Sequence, residues 1–193
     1  MSTPPFEQFA SWYEEARRHP GIADASAMAL ATADKAGRPA VRMVLLKQHD
    51  ERGFVFFTHL TSPKARDLGE TGRAALCFHW APLGRQVRID GMVTQVGDDE
   101  ADAYFATRPR LSQLGAWASR QSQPMGHRFG LEASVARAGA KYVAGPVPRP
   151  PHWSGFRLAP EHMEFWREGA FRHHERALYT RTRDGWDHTW LYP

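Results

Sequence analysis

The chain has 193 residues, of which 42% are hydrophobic and 24% charged, so it can build one core and carries an ordinary share of charge. Its formal net charge of +4 favours anionic partners, which leaves nucleic acid and small phosphorylated molecules open. One cysteine, Cys77, excludes an intramolecular disulfide and suits a reducing compartment. No signal peptide or membrane-length apolar run is found, so we expect a cytoplasmic protein.

The first half of the chain predicts one helix followed by a run of strands. Phe6, Phe9 and Tyr13 repeat at helical spacing, which predicts an amphipathic helix over residues 5–18 that ends at Pro20-Gly21. Short β-type runs follow, with hairpin turns at residues 35–39 and 50–53. They cover residues 28–32, 41–47, 54–58, 74–80 and 86–96. Apolar and polar residues alternate in the last run, which indicates an antiparallel sheet with one face in the core.

The second half predicts helices and then more strands. Residues 98–145 have a helical pattern, broken at Pro109 and near Gln123-Pro124, and the proline-rich residues 145–151 form a rigid connector. Strands are expected at residues 156–166, 171–182 and 186–192. We therefore expect an α+β fold, mainly antiparallel β, in which a small barrel is decorated by helices. The connector could mark a domain boundary, but the segment after it is too short to be stable alone, so one domain over 1–193 is predicted.

Two short segments carry cations suited to an anion. Arg42 and Lys47 stand at the ends of an apolar strand, and their odd spacing places them on opposite faces if that strand is regular. By themselves they fit an ordinary core strand with charged ends. Ser62 is expected to cap a helix with Pro63 at its first position, and Lys64 adds a cation at this helix N-terminus. Such a site can bind phosphate, although most capped helix ends bind nothing.

The arginine-rich segment 108–122 is the most suggestive part of the sequence. Tyr104 and Arg108 are four residues apart on a predicted helix, so they share one face, and Pro109 then makes a corner. Ser112 either caps the next helix or turns back towards the same ligand. The three side chains could form a phosphate cradle, or an ordinary surface corner with a capping serine.

A third cationic set lies near the C-terminus. Arg172, His174 and Arg176 alternate, so in a strand they would share one face, and an anion between them would relieve their repulsion. A solvated strand face is the alternative, and we favour a functional role. The histidines show no metal-ligand spacing, and no phosphate-binding loop or dinucleotide fingerprint is present.

Taken together, these segments resemble the pyridoxine (pyridoxamine) 5′-phosphate oxidase family over nearly the whole chain. Each motif is short, but their order and spacing are specific in combination. The motifs are Phe6-Glu-Gln-Phe9, Arg42-Met-Val-Leu-Leu-Lys47, Phe56-Phe-Thr58, Ser62-Pro-Lys-Ala65, Arg85-Gln-Val87, Tyr104-Phe105, Arg108-Pro-Arg110, Ser112-Gln-Leu-Gly-Ala-Trp117, Gln121-Ser122, Glu164-Phe-Trp166 and Arg172-His-His-Glu-Arg176.

The resemblance implies a role for each matching residue. The FMN-binding set would be Arg42, Met43, Val44, Leu45, Leu46, Lys47, Phe57, Thr58, Pro63, Lys64, Gln86, Gln121, Ser122, Trp166 and Arg176. The substrate phosphate would be bound by Lys47, Tyr104, Arg108 and Ser112. Arg172 and His174 would face the substrate ring and are the catalytic candidates, while Lys47 would stand between the two ligands.

The resemblance also implies a fold, an assembly and a reaction. The fold is an FMN-binding split β-barrel with surrounding helices, with residues 1–20 as its N-terminal helix and 152–193 as dimerisation and active-site strands. The protein would be a homodimer with FMN at the interface and would bind neither nucleic acid nor membrane. Pyridoxine or pyridoxamine 5′-phosphate would be oxidised to pyridoxal 5′-phosphate, with O2 giving H2O2 and the amine releasing ammonia. No metal is implied.

Five positions depart from the family's usual pattern. Pro63 stands where arginine is usual, Phe57 replaces a common tyrosine and Gly84 a common glutamate, Ser154 replaces glycine, and Trp190 replaces arginine. These changes bear on FMN affinity and on the dimer contact more than on the reaction.

Three other functions remain open from the sequence. They are a non-catalytic flavin- or phosphate-binding module, a flavin oxidoreductase acting on another substrate of the phenazine-pathway type, and a nucleic-acid binder suggested by charge alone. The intact substrate set speaks against the first two, because loss of Tyr104 or Arg108 would be expected in a relative that changed substrate. The third function, nucleic-acid binding, requires arginines that form one exposed stripe and do not converge on a cavity.

Overall fold

The computed structural model describes residues 4–193, which contain five α-helices and nine β-strands. The helices are α1 (Pro5–Arg18), α2 (Pro63–Thr71), α3 (Asp98–Thr107), α4 (Arg110–Ala118) and α5 (Gly130–Lys141). The strands are β1 (Ala27–Ala33), β2 (Pro39–Leu45), β3 (Gln48–Asp50), β4 (Gly53–His59), β5 (Arg73–Trp80), β6 (Arg85–Gln95), β7 (Trp153–Arg167), β8 (Glu175–Arg181) and β9 (Trp186–Trp190). The predicted α+β class and the N-terminal helix are confirmed.

All nine strands belong to one sheet in which the paired neighbours run antiparallel. Its main path runs β2-β1-β5-β6-β7-β4-β3, and β8 pairs with both β7 and β9. The two ends of this path approach each other where the Lys47 N–H donates to the Val55 carbonyl at 2.9 Å. The sheet therefore curls into a half-closed barrel, as expected, and strands from both sides of the proline-rich connector belong to it.

The core fills the concave side of this sheet and is covered by α1. Phe9 of α1 is fully buried, and its ring lies 4.8 Å from that of Phe54 and 5.1 Å from that of Phe78. In β6, Val87 and Ile89 are buried while Arg88 between them is exposed, which confirms the predicted alternation. Burial of these aromatic and branched side chains supplies the main driving force for the fold.

The long strand β7 bends at a bulge opposite β6. The register shifts between Asp90 and Gly91, and a Cβ on Gly91 would lie 2.1 Å from the Ala159 carbonyl oxygen. Only glycine allows the two backbones to approach this closely. Strand β6 pairs along nearly the whole of β7, while β4 pairs with residues 153–158 of β7 and β8 with residues 162–167, on either side of the bend.

The predicted strand over 41–47 lies two residues too far along the chain, because β2 spans Pro39–Leu45. Strand β2 ends at Leu45 because the chain crosses over at Leu46, whose side chain is buried in the core and whose N–H donates to the Ser26 carbonyl. Lys47 therefore lies beyond the strand. The assignment of Arg42 and Lys47 to opposite faces of a regular strand is wrong for this reason.

The predicted strand over 171–182 also begins too early. Phe171 and Arg172 have left-handed φ values of 56° and 66° in a short 3-10 turn, and β8 starts at Glu175. The turn is tight, because a Cβ on Gly169 would lie 1.9 Å from the His173 carbonyl oxygen. Arg172 and His174 thus precede the strand, and the shared strand face predicted for them with Arg176 is wrong.

The helical region is interrupted more widely than predicted. Residues 119–129 form no helix, and α5 ends at Lys141. This segment contains Ser119, Ser122, Pro124 and Gly126, all poor residues for a helix interior. No helix in residues 4–193 has both the length and the apolar character needed to cross a membrane.

Candidate active site

Two neighbouring cavities lie between the sheet and α2, α3 and α4. The first, called the Lys64 cavity, measures about 290 Å3 and is lined by Arg42, Met43, Val44, Leu45, Lys47, Phe57, Thr58, Lys64 and Gln121. The second, called the Arg108 cavity, measures about 400 Å3 and is lined by Leu45, Lys47, Phe57, Tyr104, Thr107, Arg108, Pro109, Ser112 and Trp153. Leu45, Lys47 and Phe57 line both cavities, so the two spaces adjoin at these three residues.

Helix α2 places a buried cation in the Lys64 cavity. Ser62 caps the helix, its hydroxyl oxygen accepting a hydrogen bond from the Ala65 N–H at 3.4 Å, and Pro63 is the first helical residue, as predicted. Lys64 in the first turn is only 9% exposed, and its Nζ donates to Thr58 Oγ1 at 3.2 Å and Gln121 Oε1 at 3.0 Å. Burial, with a smaller contribution from nearby Arg42, lowers the pKa of the Lys64 ammonium. An anion in this cavity would offset both the desolvation of the Lys64 ammonium and its repulsion from Arg42.

Arg42 enters the same cavity from β2 and is held by its neighbours. Its Nη1 donates to Thr32 Oγ1 at 2.8 Å and to the Leu30 carbonyl at 3.2 Å. The Thr32 hydroxyl donates in turn to Asp67 Oδ2 at 2.6 Å. Arg42 and Lys47 line one cavity together, because the chain turns inward at Leu46.

The Arg108 cavity contains a half-buried guanidinium with an unsatisfied donor. Arg108 caps the C-terminus of α3 in an extended conformation, as expected before Pro109. Its Nη1 is buried without a hydrogen-bond partner, and its Cζ lies 4.8 Å from the Trp153 ring and 5.5 Å from the Phe105 ring. Burial lowers the pKa of Arg108. A buried donor without a partner is rare and costly, so this group is suited to an anionic ligand.

Aromatic rings form one wall of the Arg108 cavity. The Phe57 ring stacks on the Tyr104 ring with centroids 4.0 Å apart and on the Trp153 ring at 5.1 Å. Ser112 is exposed in the first turn of α4, where the capping position belongs to Pro109. The suggestion that Ser112 caps this helix is therefore wrong, and its hydroxyl lies at the cavity beside Arg108.

A second group of expected ligand-binding residues lies across β6, β7 and β8. Gln86 pairs with Trp166, and Trp166 pairs with Arg176. The His174 ring lies 4.7 Å from the Trp166 ring. Arg176 is oriented by the buried Glu164, whose Oε1 accepts from its Nε at 2.8 Å.

Arg172 and His174 are presented by the turn that precedes β8. The Gly169 N–H donates to His174 Nδ1 at 3.2 Å, so in the neutral ring the proton is on Nε2. Among residues 4–193 only Ser122, Phe171 and Arg172 are non-glycine residues with positive φ. Two of these three are expected site residues, and such backbone strain is concentrated at functional positions.

Some expected FMN-binding residues are not brought to the Lys64 cavity. Leu46 is 3% exposed in the core, and Pro63 is exposed at the start of α2. Ser122 lines a different cavity, formed by the 118–127 segment and the start of α5. Gln86, Trp166 and Arg176 form the second group described above.

Sequence reasoning missed several residues that support the site. Trp153, Thr32 and Asp67 orient the two cavity arginines, and the local sequence gives no sign of this because their partners are distant in the chain. Arg110, counted with the arginines of segment 108–122, instead donates to the Tyr142 and Gly145 carbonyls, the latter at 2.9 Å. Residues 4–193 contain no group of three or more His, Cys, Asp or Glu side chains placed to hold a metal ion.

A half-closed antiparallel barrel with adjoining cationic cavities defines a split-barrel protein whose cavities are suited to anionic small molecules. Comparison with known proteins identifies the family. Residues 14–142 match the family described as pyridoxamine 5′-phosphate oxidase, and residues 153–193 match the pyridoxine 5′-phosphate oxidase C-terminal dimerisation region. The chain belongs to the pyridoxine/pyridoxamine 5′-phosphate oxidase family.

Curated relatives match over almost the whole chain. A pyridoxine/pyridoxamine 5′-phosphate oxidase of Maricaulis maris is 56% identical over 191 residues, covering 98% of this chain and 86% of the relative. Proteins with the same name from Bradyrhizobium sp. and Mesorhizobium japonicum are 52% and 53% identical, covering 100% and 98% of this chain and 90% and 92% of the relatives.

Two solved structures share the fold. PhzG from Burkholderia lata, in complex with tetrahydrophenazine-1-carboxylic acid, has a TM-score of 0.92 and 35% identity, covering 100% of this chain and 94% of that one. A pyridoxamine 5′-phosphate oxidase-related, FMN-binding protein from Nostoc punctiforme has a TM-score of 0.78 and 19% identity, with full coverage of both chains. The second likeness concerns the fold alone.

Proposed function

We propose that this protein oxidises pyridoxine 5′-phosphate or pyridoxamine 5′-phosphate to pyridoxal 5′-phosphate, using FMN and O2 and producing H2O2, with ammonia released from the amine. The observation that carries the proposal is the pair of adjoining cavities that share Lys47, one containing the buried Lys64 and the other the half-buried Arg108. Two phosphorylated molecules bound side by side require this arrangement. The curated relatives of 52–56% identity carry the name of this oxidase.

The donors of the Lys64 cavity fit the phosphate of FMN. Lys64 and Arg42 supply positive charge, and the hydroxyl of Thr58 and the amide of Gln121 supply polar contacts. The buried Lys64 ammonium has no carboxylate partner among the ion pairs of residues 4–193, and its lowered pKa reflects that cost. The arginine usual in the family at position 63 is replaced here by proline, so Arg42 and Lys64 would carry most of the phosphate's charge.

The Arg108 cavity is assigned to the substrate phosphate. Arg108 would donate its unpartnered Nη1 to a phosphate oxygen, with the Tyr104 and Ser112 hydroxyls and Lys47 as further donors. The Trp153 ring holds the guanidinium in place from behind. A bound FMN would supply the acceptor for a hydride that leaves the substrate's C4′ carbon, and O2 would be the final electron acceptor.

The other expected FMN-binding residues support a site shared by two subunits. Thr58 pairs with Ser154, and Trp166 lies twelve residues further along β7, about 40 Å at the rise of an extended strand. One FMN molecule is much shorter than this path. Gln86, Trp166 and Arg176 would therefore serve the FMN held in the Lys64 cavity of the partner subunit.

The molecular surface fits such a homodimer. The exposed side of edge strand β2 carries Val41, Met43 and Leu45, which are 71%, 64% and 40% exposed, and Phe171 and Tyr192 are each 94% exposed. Apolar side chains in such numbers at a sheet edge favour association. The C-terminal strands match a dimerisation region.

The half-buried Cys77 suits a reducing, cytoplasmic compartment.

Arg172 and His174 are assigned to the reacting end of the substrate. The guanidinium would orient the pyridine ring, and the imidazole, with its tautomer fixed by the Gly169 N–H, would position the C4′ substituent. Both come from a tight turn, which limits their motion. The bound cofactor and the partner subunit would close the site to water.

The PhzG structure supports a second candidate, a flavin oxidoreductase that acts on a substrate without phosphate. The unpartnered Nη1 of Arg108 would accept either a phosphate or the carboxylate of such a ligand. The name shared by the curated relatives of 52–56% identity favours the phosphorylated substrate. Oxidation of pyridoxamine 5′-phosphate, with no detectable turnover of pyridoxamine, would distinguish the two.

Variants of the 169–174 turn test the proposed function. Arg172→Ala and His174→Ala are expected to lose at least tenfold in kcat, about 1.4 kcal/mol or more, while keeping bound FMN, measured as pyridoxal 5′-phosphate formed in air. His173→Ala is the matched control, since His173 is exposed in the same turn, and it should keep wild-type turnover. Wild-type rates in both variants would show that the active-site assignment is wrong.

A further inference from the structure

The proline-rich connector contributes one nearly buried charge to the fold. Arg149 has a side chain that is only 11% exposed, and it contacts both α3 and β7. Its Nε donates to Asp102 Oδ1 at 2.5 Å and its Nη2 to Asp98 Oδ1 at 2.7 Å. Its Nη1 donates to the Trp153 carbonyl at 2.9 Å. One guanidinium thus joins a helix to the first residue of a strand.

The two elements that Arg149 joins carry the Arg108 cavity. Helix α3 supplies Tyr104 and ends at Arg108, and Trp153 stacks against both Phe57 and the Arg108 guanidinium. A shift of α3 along β7 would move the phosphate-binding donors relative to the ring that supports them. Displacement by about 1 Å is enough to weaken a well-placed polar contact severely.

The partners of Arg149 indicate that stability is not its main contribution. The side chains of Asp98 and Asp102 are 79% and 59% exposed, and water screens the charge of exposed carboxylates, which weakens their ion pairs. The planar guanidinium instead fixes the position of α3 relative to Trp153, because three of its N–H groups donate in different directions to three separate acceptors. A geometric role therefore fits these contacts better than a purely energetic one.

We propose that Arg149 is a positioning residue for the substrate's phosphomonoester group, holding Arg108 and Tyr104 in register with Trp153. This inference rests on the proposed function, since it assigns the Arg108 cavity to the substrate phosphate. Arg149 touches neither cavity itself. Its loss should change substrate affinity without changing FMN retention or the chemical step.

Arg157 provides a matched control. Its side chain is also 11% exposed, and it too holds the start of α3, donating to Glu100 Oε1 at 2.7 Å and to Asp50 Oδ1 at 2.9 Å. Within residues 4–193 its side chain forms no hydrogen bond or ion pair with Trp153 or Asp102. A general loosening of α3 would therefore appear in Arg157→Ala as well, whereas loss of register with Trp153 would not.

The test compares Arg149→Ala, Arg149→Lys and Arg157→Ala in the FMN-loaded protein. Arg149→Ala is expected to raise KM for pyridoxamine 5′-phosphate about tenfold, with kcat within about twofold of wild type. The dissociation constant of 4-deoxypyridoxine 5′-phosphate, which cannot be oxidised, should rise by the same factor in a titration followed by flavin absorbance. FMN content should not change, and Arg157→Ala should leave KM within about twofold.

Three results would overturn the inference. They are a wild-type KM and analogue affinity in Arg149→Ala, an equal rise in Arg157→Ala, or a fall in kcat with KM unchanged. If Arg149→Ala does not fold, Arg149→Lys decides, because lysine keeps the charge but cannot make the three contacts together. It should raise KM at least threefold, and a wild-type KM would overturn the inference. Failure of the proposed function is distinct, since the wild-type protein itself would then not oxidise pyridoxamine 5′-phosphate.

Discussion

Arg108 carries a charge that the folded chain leaves without a counter-ion. No carboxylate within residues 4–193 forms an ion pair with it, and its Nη1 has no hydrogen-bond partner. Folding therefore leaves the Arg108 Nη1 donor desolvated and without a partner. A bound phosphate would accept a hydrogen bond from it and offset the free-energy cost of its desolvation. The neighbouring Arg110 differs, because backbone carbonyls of the 142–145 segment satisfy its donors.

Arg108→Ala is expected to raise KM for the phosphorylated substrate more than it changes kcat. Loss of a charge-assisted contact costs about 1.5–3 kcal/mol, which corresponds to roughly a 10- to 150-fold rise in KM. Steady-state kinetics with pyridoxamine 5′-phosphate measure this. Arg110→Ala is the control for loss of a nearby arginine and should leave KM unchanged. Equal KM values in Arg108→Ala and wild type would remove Arg108 from the phosphate site.

At the scale of elements, helix α2 connects stability with cofactor binding. Ser62 is fully buried and caps the helix, and Lys64 in the first turn donates from its ammonium to Thr58 and Gln121. Loss of the cap would loosen the first turn, where Lys64 is placed. The sequence predicted this cap because Ser-Pro-Lys is a purely local signal.

Ser62→Ala is expected to lower the free energy of unfolding by about 1 kcal/mol and to weaken FMN binding. Urea unfolding and equilibrium titration of the apoprotein with FMN measure the two effects. Thr71→Ala, at the other end of α2, is the control, because its hydroxyl donates to the Asp67 carbonyl away from the cavity. It should affect stability but not FMN affinity. If both variants bind FMN equally well, α2 does not position the cofactor.

Elements and hairpin turns whose signals are local were predictable from the sequence, whereas strand ends that depend on tertiary contacts were not. The periodicity around Phe9 and the alternation around Ile89 gave α1 and β6 correctly. The end of β2 depends on where Leu46 finds space in the core, and the start of β8 depends on the approach of Gly169 to His173. Neither constraint can be read from a segment alone. The contacts of Arg149 are likewise visible only in three dimensions.

The stability of the whole molecule is linked to pH by a buried histidine, His59, that stacks on the half-buried His152. His59 is 6% exposed, its Nδ1 has no partner, and its ring stacks on that of His152 at 5.3 Å. Burial first, then repulsion from His152, Lys64 and Arg108, lowers the pKa of His59 from its ordinary value of 6.5 to about 4. The folded protein therefore holds His59 neutral.

The stability of the protein is expected to fall below about pH 6.5. Between about pH 6.5 and pH 4 the unfolded chain binds a proton at His59 that the folded chain does not. The contribution of neutral His59 to the free energy of unfolding is therefore complete above pH 6.5 and is lost as the pH falls to about 4. His59 contributes at most about 3 kcal/mol to the free energy of unfolding in this way. Tm measured from pH 7 to pH 4.5 should fall less in His59→Asn than in wild type. Parallel curves for the two proteins would contradict this.

The proposed oxidation requires two phosphorylated molecules to lie side by side, one in each cavity, so that a hydride can be transferred from one to the other. Anaerobic mixing of the FMN-loaded protein with pyridoxamine 5′-phosphate tests this most directly, with pyridoxamine as the control lacking phosphate. Flavin absorbance at about 450 nm should bleach with the phosphorylated amine and return when air is admitted. Undiminished absorbance in the presence of bound pyridoxamine 5′-phosphate would contradict the account.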